Sequence, residues 1–191
     1  MSIDVYIGAP LEHESERSFL NQICDDLRQA KCTAIILANF TPPTRPRQID
    51  FFVVTERCAA LIELKAFNQP VEGGINGQWA LVLPDGSRKK LPLPNPHEQV
   101  VQCTFALSDE VRKLSAKDPD QWLIPGNDPF YKAVEGMVCI YPEIPMGSTV
   151  TEGNFKARVV GYRECLKTLT LTGSRSPNWN KKQWQALVMY L

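Results

Sequence analysis

The sequence predicts one α/β domain, and three observations carry that reading. An amphipathic helical stretch lies near the start, two β-type runs joined by a short polar turn follow, and a second helical stretch begins beside Asn95. The chain has 191 residues, enough for one domain with a real core. Apolar residues make up 43% and charged residues 22%, which argues against wholesale disorder. Formal net charge is zero, so a nucleic-acid partner must be met by a local basic patch rather than a global field.

In "ESERSFLNQICDDLRQA", Phe19, Leu20, Ile23, Cys24 and Leu27 recur at helical spacing, predicting a helix from about Ser15 to Ala30. "TAIILANF" reads as a buried strand. "TPPTRPR" reads as a loop, since its prolines remove backbone donors. "QIDFFVV" and "AALIELK" form a predicted hairpin, and "GGINGQWALVLPDGSRKKL", with its Asp-Gly turn, a second and more exposed one. "NPHEQVVQCTFALSDEVRKL" predicts a helix with Pro96 in its first turn and Val100, Thr104, Leu107, Val111 and Leu114 on one face. "SAKDPDQWLIPGNDPFYK" is a Pro/Gly/Asp-rich connection. "VEGMVCIY" and "KARVVGY" read as strands, "RECLKTLTL" as a short helix and "NKKQWQALVMYL" as the start of another. The domain is expected to span 1–191 with a core at about 12–165. The segment 179–191 has two open readings, a terminal packing helix or the lead into further, fused domains.

The cysteines Cys24, Cys32, Cys58, Cys103, Cys139 and Cys165 show no CxxC pair and several sit in apolar runs, so they are expected to be buried thiols in a reducing compartment. "MSIDVYIGAPLEHESE" lacks a basic start followed by an apolar core, so no secretory signal is expected. No apolar run reaches about 18 residues, so no membrane span is expected. The expectation is a soluble cytoplasmic domain.

The first hairpin raises the chemical question. With its turn centred between Glu56 and Arg57, residues whose numbers sum to 113 face each other, and Asp50 falls opposite Glu63. Facing residues have Cβ atoms about 4.5–5.5 Å apart, close enough for two carboxylates to repel unless a cation joins them. Lys65 projects from the same face as Glu63. Two carboxylates and an ammonium suit a divalent-metal phosphodiesterase site, since hard oxygens hold Mg²⁺ and the ion polarises a phosphate and acidifies a bound water. The competing reading is a surface ion pair, and a one-residue slip would turn Asp50 to the other face. Glu16 falls within the arc of Leu20, Ile23 and Leu27. It either serves its helix N-terminus or joins the acidic site.

These residues resemble a known family. A helix opening "SER", then "QIDFFVV", "LIELK", Gly77 with Trp79, and "NPHEQ" follow in the order of the nuclease-related domain family, NERD, within the PD-(D/E)xK nuclease superfamily. The similarity runs from about Glu12 to Leu114 and more loosely to about Tyr162. It implies a restriction-endonuclease-like α/β/α sandwich around a short mixed sheet, and metal-dependent DNA hydrolysis. Position by position, Glu16 matches the first-helix glutamate, Asp50 and Glu63 the metal-holding acids, Lys65 the catalytic lysine and Gln99 the polar helix residue. The family usually has glycine where this chain has Ser15, which reads as an N-cap.

Arg45 and Arg47 before Asp50, and Arg88, Lys89 and Lys90 in the second hairpin, are candidate phosphate contacts, against the plainer reading of solvated charge. Trp79 is expected to pack rather than stack on a base, and His97 to be exposed rather than a general base. The sequence therefore predicts a Mg²⁺- or Mn²⁺-dependent endodeoxyribonuclease domain with DNA as partner, in which Asp50 and Glu63 hold the metal, Glu16 completes or orients its shell and Lys65 assists the water. Rival readings are a nucleic-acid-binding or protein-interaction module that keeps the fold without cutting, and an RNA-directed hydrolase.

Overall fold

The computed structural model describes residues 2–43, 47–122, 130–154, 156–171, 176 and 179–191. Its centre is a six-stranded mixed sheet in the order β1-β2-β3-β4-β8-β10. These strands are β1 (Ile3–Ile7), β2 (Ala34–Phe40), β3 (Ile49–Thr55), β4 (Ala59–Lys65), β8 (Glu135–Ile140) and β10 (Arg158–Gly161). The pairs β2/β3 and β3/β4 are antiparallel, while β1/β2, β4/β8 and β8/β10 are parallel. A smaller sheet, β7-β6-β5-β9, contains β5 (Val71–Gly73), β6 (Ala80–Val82), β7 (Arg88–Lys90) and β9 (Thr149–Val150).

Four helices cover the large sheet among the described residues. α1 (Glu14–Gln29) and α3 (Tyr162–Thr170) pack on one face through Phe19, Ile23, Leu27, Cys165 and Leu169. α2 (Pro96–Lys117) and α4 (Lys181–Tyr190) pack on the other through Val100, Leu107, Val111, Trp184 and Leu187. The strands β2, β3 and β4 are buried on both sides, which is why they read as continuous apolar runs rather than alternating ones. Each large side chain buried this way stabilises the fold by about 1.5–3 kcal/mol. The result is the α/β/α sandwich that the resemblance implied.

The helix ends explain two details. α1 begins one residue before the expected start, with His13 rather than Ser15 at the N-cap, so Ser15 lies inside the first turn. Asn95 caps α2: its Oδ1 accepts the Glu98 N–H at 2.7 Å, satisfying a donor that the helix cannot. The same buried amide donates to the Ile75 and Gly77 carbonyls at 3.1 and 2.9 Å. Trp79 is buried, and its indole N–H donates to Gly74 O at 2.9 Å. A Cβ on Gly73 would meet the Trp79 ring at 2.3 Å, so only glycine fits there. The Gly77, Trp79 and "NPHEQ" landmarks thus form one joint between the small sheet and α2, and the packing reading of Trp79 holds.

His97 corrects an expectation. It is buried, and its Nε2–H donates to Ala157 O at 3.1 Å, tying the start of α2 to the residue before β10. Burial chiefly holds its pKa below the ordinary imidazole value, against the favourable bonds to Ala157 and Asn154. The six cysteines are free and buried as expected. The loop residues 44–46 and the connection residues 123–129 lie outside the described residues. Among the described residues, no helix is long and apolar enough to cross a membrane.

Candidate active site

The β3/β4 register pairs Phe51 with Ile62, Phe52 with Leu61, Val53 with Ala60 and Val54 with Ala59. All four pairs sum to 113, and the Thr55 N–H closes the turn on Cys58 O at 2.8 Å. One step further along this ladder, Asp50 faces Glu63. Phe52 and Leu61 belong to the core on the α2 side, and strand alternation therefore sends Asp50, Glu63 and Lys65 to that side too. The hairpin delivers all three groups to one place.

Glu63 is only 3% exposed, and its Oε1 receives the Lys65 ammonium at 2.6 Å. Asp50 Oδ2 accepts the Leu64 N–H at 2.7 Å, so its carboxylate occupies the ladder position beyond the last paired residues. Burial is the main cause that raises the Asp50 pKa to about 7, followed by the Glu63 charge; the Leu64 N–H and Lys65 oppose the rise, and Glu16 adds a smaller push upward. The Lys65 ammonium sits on Glu63, and its charge together with the Leu64 N–H does not outweigh burial and the Glu63 charge at Asp50.

α2 closes the site from above. Cys103 is fully buried there, and burial followed by the Glu63 charge pushes its thiol up to about 12. Gln99 lies one helical turn before Cys103, half-buried, so α2 orients it toward the same region. Arg47 donates from the entry of β3 to the Gln102 side-chain oxygen, and Gln102 Nε2 donates to Glu98 at 2.8 Å. Arg47 is thereby fixed three residues before Asp50.

Glu16 enters from the opposite face of the sheet, on α1. Its Oε2 accepts the His13 N–H at 3.3 Å, which is its helix-terminus role, while its charge is still felt at Asp50. Among the described residues no group of three or more His, Cys, Asp and Glu side chains is spaced to hold a metal ion. The structure brings Asp50, Glu63 and Lys65 together directly and Glu16 to the margin. Arg45 lies outside the described residues. Arg88 forms a two-bond ion pair with Glu72 at 2.6 and 3.0 Å on the small sheet, and Lys89 and Lys90 are exposed beside it. Cys103 and Gln102 were not singled out in the sequence, although helical spacing from Gln99 places both near the site.

A family model for the nuclease-related domain matches residues 12–140, which takes in α1, the hairpin, the small sheet's first three strands, α2 and β8. The chain belongs to the nuclease-related domain family. No curated protein and no solved structure matches it.

Proposed function

We propose that this domain is an endodeoxyribonuclease that hydrolyses DNA phosphodiester bonds with Mg²⁺ or Mn²⁺ held by Asp50 and Glu63. The observation that supports this most is the Asp50–Glu63 pair, two carboxylates on one hairpin face whose mutual charge Lys65 and the Leu64 N–H offset in part. The donor set fits such an ion. Both groups offer hard carboxylate oxygens, and an Asp50 half-protonated near neutrality readily exchanges its proton for a cation. When bound, the ion supplies Lewis acidity toward the phosphate and a more acidic water.

The chain's own residues supply the rest. Lys65 is held at 2.6 Å on Glu63, where its ammonium donates toward negative charge that develops on the phosphate oxygens. Asp50 and Glu63 keep the site acceptor-rich, so that a water beside them is oriented with its lone pairs toward the substrate phosphorus. Glu16 assists from the margin by its charge at Asp50. Gln99 offers a neutral hydrogen-bonding amide from α2. Arg47, with Arg88, Lys89 and Lys90 further out and Arg45 from the sequence before β3, gives sequence-independent phosphate contacts that hold the DNA backbone without reading it.

One observation favours a second reading. The Lys65–Glu63 ion pair and a protonated Asp50 together make an almost neutral, self-contained set, which a non-cleaving nucleic-acid-binding or protein-interaction module would also tolerate. Plasmid nicking separates the two. Wild-type protein is assayed with Mg²⁺, Mn²⁺ or EDTA beside Glu63→Ala and Lys65→Ala, with RNA as a parallel substrate. Cleavage that needs metal and both side chains supports the nuclease. No product under any metal, or equal cutting by both variants, sinks it, and a preference for RNA moves the substrate class.

A further inference from the structure

The four sheet edges are treated unequally. In the large sheet, β10 is shielded: residues 152–154 fold back on it through Gly153 opposite Arg158, Val159 N–H to Glu152 O at 2.8 Å and Asn154 N–H to Ala157 O at 2.8 Å. In the small sheet, β7 is made of Arg88, Lys89 and Lys90, and β9 has only two residues. Cationic, short or covered edges resist pairing with another chain. Among the described residues, no further strand covers β1. It runs for five residues as "IDVYI", without proline, glycine, lysine or arginine, and pairs only with β2 among the described strands. Val5 and Ile7 on it are 40% and 54% exposed.

We propose that β1 is a homodimer interface, pairing antiparallel with β1 of a second copy about a two-fold axis through Val5. The backbone phase fits this register. Ser2 O accepts Ala34 N–H at 3.0 Å and the Gly8 N–H donates to Ala38 O at 2.9 Å, so even-numbered residues point their amides at β2. Alternation leaves both backbone groups of Ile3, Val5 and Ile7 directed outward. In the symmetric register Val5 meets Val5, and Ile3 meets Ile7 in both senses. Outward-directed residues therefore face each other, and each facing pair exchanges two hydrogen bonds.

The side chains are equally self-complementary. Ile3, Val5 and Ile7 lie on the α1 side, so the two copies present one continuous aliphatic row where each alone exposes Val5 and Ile7 to water. On the other side Asp4 meets Tyr6 rather than the second Asp4, which avoids like-charge contact. Asp4 is already paired with Lys181 at 2.8 Å within its own chain, so its charge enters the interface compensated. The axis closes the pairing. Among the described strands each copy has one such edge, so the assembly stops at two.

The test is sedimentation equilibrium of the full chain from about 1 to 300 μM, with the Val5→Lys/Ile7→Lys double variant and with Val5→Cys. The expected result is a mass approaching twice 21.5 kDa at the upper concentrations and a dissociation constant raised about 100-fold or more in the lysine variant. Facing Val5 positions place their Cα atoms about 5.5 Å apart, within disulfide reach, so Val5→Cys should cross-link on mild oxidation while wild type, with all its cysteines buried, does not. A 21.5 kDa species throughout overturns the proposal, as does undiminished dimerisation of a lysine variant that melts like wild type. So does a Val5→Cys protein that cross-links no better than wild type at dimer-forming concentration.

Discussion

The two ends of the β3–β4 hairpin hold the same kinds of residue under opposite regimes. At the turn, the Thr55, Glu56 and Arg57 side chains each have a hydrogen-bond partner. Thr55 Oγ1 accepts from Cys58 N–H at 3.1 Å and Arg57 N–H at 3.2 Å and donates to Leu169 O at 2.8 Å. Glu56 accepts the Thr33 N–H at 2.8 Å, and although burial works hardest against its ionisation, the Thr33 bonds together with Arg57 bring its pKa below the usual carboxylate value. At the open end, burial and Glu63 drive Asp50 to about 7. Donors outweigh burial at Glu56, whereas at Asp50 the Leu64 N–H and Lys65 do not outweigh burial and the Glu63 charge.

The largest effect expected from that contrast is on cleavage. Glu63→Ala and Lys65→Ala should each lower plasmid nicking by about 10²–10⁴-fold, whereas Glu56→Gln at the turn should leave it within about twofold. Comparable losses at both ends would erase the distinction. The next effect is on stability without metal. Because the folded Asp50 pKa of about 7 exceeds its ordinary 3.8, its contribution is fully present below pH 3.8 and is lost as pH rises through 7. Asp50→Asn should therefore stabilise the metal-free protein at pH 8–9 by on the order of 2–4 kcal/mol and do nothing at about pH 4, read by denaturant titration. Mg²⁺ should stabilise the wild type at pH 8 and leave that variant unchanged, read as a shift in melting temperature.

Smaller effects sharpen the turn end. Thr55→Val leaves the Leu169 carbonyl and the Cys58 and Arg57 amides short of a partner, and should cost about 1–3 kcal/mol in chemical denaturation with nicking preserved. Glu56→Gln should cost only about 0.5 kcal/mol, since this exposed side chain is screened by solvent. Its depressed pKa fixes the sign: the contribution is present above pH 4.5 and disappears as pH falls below it.

How much of this could be read from the chain depended on whether the partners are near in sequence. The hairpin register followed from its turn, because only local residues set it, and with it came the shared face of Asp50, Glu63 and Lys65. The stripes of α1 and α2 followed from helical period. β1 did not, since five residues whose pairing partner lies past a whole helix give too short a pattern. His97 was expected in solvent because Pro96 and Glu98 flank it at a helix start, but its partner Ala157 arrives from the far side of the chain. The ion pair of Arg88 with Glu72 was hidden for the same reason, being made across an intervening strand. Glu16 serves its own helix terminus, and its charge is felt at Asp50 from the margin.

The burial of His97 beside Ala157 makes the joint between α2 and the β10 edge sensitive to acid. The ring donates from Nε2 while neutral, and its enclosure resists a second proton, so the unfolded chain takes up protons more readily than the folded one once the pH drops below about 6.5. Acidification therefore costs the fold stability at that joint, where α2 begins.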